Sequence, residues 1–171
     1  SVLTDTPSFM GSKEDLGIAR NSSPLPLLRK DFFIDPYQVF ETKYLGGDCI
    51  LIILSMLSDS QARELYQTAQ EIELDSIFEV HNENEFERAL SMNAKLIGIN
   101  NRNLHTFETD IGTTVNLASK FSDELIIISE SGIYNNTQIK MLREKNVNAF
   151  LVGESIIKSD NMTKAIQDLL D

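Results

Sequence analysis

The chain has a single cysteine, Cys49, in 171 residues. An intrachain disulfide is excluded. Cys49 opens the apolar run Cys49–Leu54, where a small buried side chain is expected, and this usage is consistent with a reducing compartment. Histidine is scarce as well: His81 and His105 stand far apart and, with one cysteine, make no zinc pattern. Positive charge is short, with 15 Lys and Arg against 26 Asp and Glu, a net charge of -11 and no basic cluster. Binding a phosphate backbone needs positive charge, so nucleic acid is not an expected partner. No apolar run approaches the roughly 20 residues that span a bilayer. The opening Ser1–Asp5 lacks the basic region and apolar core of a secretion signal, and Ser1–Thr4 reads as the tail of a strand. No linker, low-complexity tract or shift in composition divides the chain, so residues 1–171 read as one domain.

What is present is a repeating plan. The 42% apolar and 24% charged fractions are those of a globular protein. After the strand tail, Gly11-Ser12 precedes a helical pattern through Leu16 and Ala19. Leu25–Lys30 reads as a strand, and Asp35-Pro36 as the cap and first turn of a helix stopping at Gly46-Gly47. Strands follow at Asp48–Leu54, Ser76–Val80, Lys95–Ile99, Glu124–Ser129 and Asn148–Val152. Helical periodicity fills each gap, with Ser58, Asn82 (in a capping box with Glu85) and Asp160 as expected caps. The helix through Val115 and Leu117 is the weakest in pattern.

The strands are apolar on both faces, as in a parallel sheet covered by helices. An open doubly wound sheet and a closed barrel both fit. The barrel is favoured, because polar groups stand at nearly every strand's C-terminal end, whereas an open sheet gathers its chemistry at one switch point. The expected class is therefore α/β, with a β/α barrel preferred.

Side chains alternate along a strand, so Lys30 shares a face with Leu28, and Glu79 with Ile77. By the same parity Asn100 and Arg102 share a face with Gly98, and Glu130 and Gly132 with Ile128. Facing inward, these groups bring a lysine, two carboxylates, an amide and a guanidinium to one end of a barrel. That set suits general acid/base work. Each residue alone reads first as an ordinary solvated strand end; the shared register is what argues for function. Gly132 and Gly153-Glu154-Ser155 follow the last two strands, where barrels bind phosphate through backbone N–H groups and a short extra helix; Gly153–Lys158 is the candidate helix.

Taken together these motifs resemble the indole-3-glycerol phosphate synthases. The matching stretches are Ser1–Asp5, Leu28–Gln38, Glu79–His81, Ile97–Leu104, Ser129–Ile133 and Phe150–Ser155. The resemblance implies a (β/α)8 TIM barrel and a cofactor- and metal-independent carboxy-lyase of tryptophan biosynthesis. Its reaction turns 1-(2-carboxyphenylamino)-1-deoxyribulose 5-phosphate into indole-3-glycerol phosphate, with loss of CO2 and water. By the same resemblance Lys30 is the general acid, Glu79 its acid/base partner, and Asn100 and Glu130 position substrate and stabilise charge. Phe32 and Arg102 would line the anthranilate side, and Ser131, Gly132, Gly153 and Glu154 the phosphate. The implied partner is a small phosphorylated substrate in the cytoplasm.

One departure stands out. The family's N-terminal extension, first strand and first helix have no counterpart in these residues, and that strand supplies a second catalytic lysine. The barrel is therefore expected to be incomplete, the chain alone weak or inactive, and its exposed strand edges prone to self-association. Two rival readings stay open: an enzyme like phosphoribosylanthranilate isomerase, and a non-catalytic phosphate-binding fragment.

Overall fold

A computed structural model describes residues 1–103, 106–120 and 124–171. Leu104, the last residue of one family-like stretch, and His105 lie outside them. The chain folds into two compact units, Ser1–Glu79 and Val80–Asp171.

The first unit holds strands β1 (Val2–Leu3), β2 (Leu28–Lys30), β3 (Cys49–Ile53) and β4 (Asp75–Val80, whose last residue enters the second unit). They pair in parallel in chain order, with Val2 beside Arg29, Leu28 beside Cys49 and Ile53 beside Glu79. Parallel neighbours need a crossover, and helices supply it: α1 (Thr6–Phe9) and α2 (Lys13–Ser22), then α3 (Pro36–Tyr44), then α4 (Asp59–Glu71). The caps follow from sequence. Ser12, Asp35 and Ser58 each accept a first-turn N–H, and each is completed as a capping box by Asp15, Gln38 or Gln61. All five β3 residues are buried, and α4 buries Ala62, Leu65 and Ala69. Each such large aliphatic contributes about 1.5–3 kcal/mol on burial. A Cβ at Gly11 would stand 2.1 Å from the Leu3 carbonyl oxygen, so only glycine lets the chain pass β1 here.

The second unit runs α5 (Glu83–Ser91), β5 (Leu96–Asn100), α6 (Gly112–Ala118), β6 (Ile126–Glu130), α7 (Asn136–Arg143), β7 (Ala149–Leu151), α8 (Glu154–Ile157) and α9 (Met162–Leu170). Its strands are again parallel, with Asn100 beside Glu130 and Glu130 beside Leu151. The seven strands among the described residues keep chain order with helices between them, the α/β plan of an incomplete (β/α)8 barrel.

Several boundaries depart from the sequence reading. β2 begins at Leu28 rather than Leu25, because Leu27 N–H bonds the Asp48 carboxylate and Pro24 and Pro26 carry no N–H for a ladder. β6 begins at Ile126 and runs through Glu130. The last helix is capped by Asn161, not Asp160: the Asn161 side chain accepts from Lys164 N–H at 3.0 Å. At α5, Asn82 does cap Glu85, but the Glu85 carboxylate reaches the N–H of His81 at 2.8 Å. The reciprocal bond of the expected box thus falls one residue earlier. The short α1 has no strong sequence signal; it is capped by Asp5 through Ser8 N–H.

Candidate active site

In the first unit, β2 and β4 carry the two groups that acid/base work requires. Lys30 Nζ donates to Glu79 Oε2 at 3.2 Å. Both side chains are mostly shielded, Lys30 at 17% and Glu79 at 4% exposure. Removal from water strengthens such a pair relative to one at the surface. Phe32, half-buried just past β2, stacks on Phe9 with ring centroids 5.4 Å apart.

The other face of β2 is charged too. Arg29, 1% exposed, donates to Asp31 Oδ2 at 2.8 Å and to Thr4 Oγ1 at 3.0 Å, and lies 3.0 Å from Glu41 Oε2. Glu41 also meets Lys13 at 2.6 Å. Burial opposes ionisation of Glu41, but the bonds from Lys13 and Arg29 prevail and hold its carboxyl below the ordinary value.

In the second unit, the register sets Asn100 and Glu130 side by side at the ends of β5 and β6, 9% and 1% exposed. Asn100 Oδ1 accepts the N–H of Arg102 at 3.0 Å. The chain then turns sharply at Ser131 and Gly132, with φ of 66° and 72°. A non-glycine residue at such a φ is uncommon and needs support from its surroundings. Asn101 supplies it. Its Nδ2 donates to the Ser131 carbonyl and to Ser129 Oγ, both at 3.0 Å, while its Oδ1 accepts from Thr114 Oγ1 at 2.8 Å. The turn is joined to α8 through Ser155 Oγ, which donates to the Ile133 carbonyl at 2.8 Å.

Arg102 donates to Glu154 Oε2 at 2.6 Å and to the Phe107 carbonyl at 2.9 Å. Lys158 donates to the other Glu154 oxygen at 2.6 Å. The Glu154 carboxyl is lowered from its ordinary value first by Lys158 and then by Arg102. Its side chain is thus committed to two cations, leaving its backbone as its contribution at the start of α8. Gly153 has nothing within 4 Å of where a Cβ would lie, so its backbone is open to approach. A cleft of about 570 Å³ lies beside these loops, lined by residues such as Tyr134, Asn135, Ser155, Asn161 and Lys164; of the candidate phosphate stretch Gly153-Glu154-Ser155 only Ser155 reaches it, and Lys30, Glu79, Asn100, Arg102, Glu130 and Gly132 do not.

The structure therefore brings Lys30 to Glu79, Asn100 to Glu130, and Arg102 to Glu154. Two organising residues escaped the sequence reading, Arg29 and Asn101. Strand parity held the available signal, since each adjoins a candidate residue and faces the other way. Among the described residues no three His, Cys, Asp or Glu side chains are grouped to hold a metal ion, and no helix is long and apolar enough to cross a membrane.

Comparison with known proteins gives the arrangement a family. The indole-3-glycerol phosphate synthase family model matches residues 1–169. The chain is 46% identical over 170 residues to the indole-3-glycerol phosphate synthase of Legionella pneumophila (strain Lens), covering 99% of this chain and 66% of that protein. It is 47% identical over 169 residues to that of Polaromonas naphthalenivorans (strain CJ2), covering 99% and 64%. Against the same enzyme of Acinetobacter baumannii (strain AYE) it is 46% identical over 170 residues, covering 99% and 63%. The chain thus spans a little under two-thirds of the length of these relatives. With the family model matched almost end to end, this chain belongs to the indole-3-glycerol phosphate synthase family.

Proposed function

We propose that the chain carries the C-terminal two-thirds of an indole-3-glycerol phosphate synthase. The substrate is 1-(2-carboxyphenylamino)-1-deoxyribulose 5-phosphate. Ring closure forms a carbon–carbon bond at the sugar carbonyl, whose oxygen takes a proton. The ring carboxylate leaves as CO2, and the new hydroxyl leaves as water. Lys30 delivers the proton to the carbonyl oxygen and Glu79 orients it and exchanges protons with it. Asn100 and Glu130 position substrate and stabilise developing charge. Phe32 and Arg102 line the anthranilate side. Ser131, Gly132, Gly153 and Glu154 hold the phosphate, the glycines and Glu154 through backbone N–H groups.

The observation that carries this reading is the Lys30–Glu79 pair, a shielded ammonium 3.2 Å from a carboxylate in a chain matching the family over residues 1–169. The steps are proton transfers, formation of one carbon–carbon bond, cleavage of another and loss of water, with no net oxidation, so the chemistry asks for no redox cofactor. We assign the enzyme to the carboxy-lyases and place it in the cytoplasm, where a phosphorylated biosynthetic intermediate is retained.

The chain alone is expected to turn over weakly or not at all, since its relatives are half as long again. The test is a turnover assay on these 171 residues and on a chain of full family length carrying them, with the isomerase substrate N-(5-phosphoribosyl)anthranilate offered in parallel. In the longer chain Lys30→Ala should lower turnover by about 10²–10⁴-fold, the usual worth of a positioned general acid. Near-normal turnover would remove Lys30 from the mechanism, and turnover of the isomerase substrate alone would reassign the enzyme.

A further inference from the structure

We propose that Arg29 and Asp31 are positioning residues for Lys30 and Phe32, acting from the opposite face of β2. This rests on the assignment of Lys30 above.

The geometry is a closed ring. Arg29 donates to Asp31 Oδ2 at 2.8 Å. The other oxygen of Asp31 accepts the N–H of Phe32 at 2.8 Å. The Phe32 carbonyl accepts from Gln38 Nε2 at 2.8 Å, and the Gln38 carbonyl accepts from Arg29 at 3.3 Å. The ring thus clamps the residues on both sides of Lys30 and both polar groups of the Phe32 backbone. Thr4 anchors it to the segment after β1, donating to Asp31 at 2.6 Å, and Glu41 anchors it to α3.

Two physical points separate this from ordinary packing. A buried ion pair stabilises little more than an apolar isostere would, so stability alone is a weak account of it. A guanidinium has five donors in a rigid plane, and such a fork fixes directions as well as distances. Arg29 spends its fork on Thr4 in the segment after β1, on the Asp31 carboxylate just past Lys30 and on α3 beyond. Lys30 has a flexible four-carbon stem, and its root must be held for Nζ to stay on one acceptor. Phe32 is held by the same ring where it stacks on Phe9.

The test is competitive amine acylation of the 171-residue chain, read by mass spectrometry at each lysine. No substrate is needed, so failure of the synthase assignment in a turnover assay and failure of this inference are distinguishable. Two variants are compared with the parent: Arg29→Met, and Arg29→Met with Asp31→Asn, which leaves no lone buried charge. In a variant that keeps a cooperative melt, Lys30 labelling should rise by about threefold, the factor a partly exposed ion pair is worth. Lys43 on α3 and Lys95 in the second unit should label at the parent rate. Glu79→Gln should raise Lys30 labelling by a similar factor. Unchanged Lys30 labelling in a folded variant would overturn the proposal. So would an equal rise at Lys43, which would mean that the ring merely holds α3 down. Loss of folding in both variants would likewise reduce the ring to a structural element.

Discussion

Glu154 is held by two cations at once, Arg102 on one carboxylate oxygen and Lys158 on the other, each at 2.6 Å. The Arg102 guanidinium, on the loop after β5, is thereby tied to the start of α8. Any substrate carboxylate that engages Arg102 must compete with Glu154 or be added beside it.

The pH dependence of this pair has a definite sign. The Glu154 carboxyl is depressed below its ordinary 4.5, by Lys158 first and Arg102 second. Its contribution to stability is fully present above that value and is lost as pH falls through the depressed one. The difference in unfolding free energy between parent and Glu154→Gln should therefore be flat from neutral pH to about 5 and close toward zero in more acid solution. The group is over one-third exposed, so the difference is small and should shrink further in 0.5–1 M salt. Urea titrations across pH and salt measure it, and a difference that grows on acidification would contradict the assignment.

Asn101 is expected to matter more to stability than its single side chain suggests. Removing it leaves the Thr114 and Ser129 hydroxyls and the Ser131 carbonyl short of a partner. Asn101→Ala should cost about 1–3 kcal/mol, the penalty for stranding buried polar groups. The urea midpoint should fall with an unchanged slope. A change below a few tenths of a kcal/mol would show that water replaces the amide at no cost.

Cys49 should be inert in the folded chain. Burial, reinforced by Asp75, pushes its thiol up to about 12. At neutral pH almost none is thiolate, and the thiolate is the reactive form. An aromatic disulfide reagent at pH 8 should modify it only as the protein unfolds, at a rate set by opening. Prompt labelling of native protein would place the sulfur nearer the surface.

The repeating plan was legible because its signals are local. Periods of two and of 3.6, a cap such as Asp35 before Pro36, and a terminating Gly46-Gly47 depend on neighbours in sequence. Lys30 and Glu79 were legible as strand ends, and their 3.2 Å approach follows from β2 and β4 both pairing in parallel with the β3 strand between them. Arg29 and Asn101 were not legible. Their partners lie at Thr4, Thr42, Thr114 and Ser129, and only the folded chain brings these near. A buried arginine also runs against expectation, since a charge on a helix-facing strand position is normally excluded. The cap of α9 fell one residue later than expected because the adjacent Asp160 and Asn161 both offer an acceptor for a first-turn N–H. At α5 the cap is Asn82 as expected, and only the bond to the Glu85 carboxylate moved, taken by the N–H of His81.

The Arg29 ring bears on how this fold can be recombined. Barrels of this class invite exchange of whole strand–helix modules, on the premise that each module is self-sufficient. Here a crossover between Thr4 and β2 would part Asp31 from its hydroxyl partner, and one between Lys30 and α3 would part Arg29 from Gln38, Glu41 and Thr42. The smallest transferable cassette in this part of the chain therefore runs from β1 through α3, and chimaeras cut inside it should be rebuilt at Thr4, Gln38 and Glu41 together.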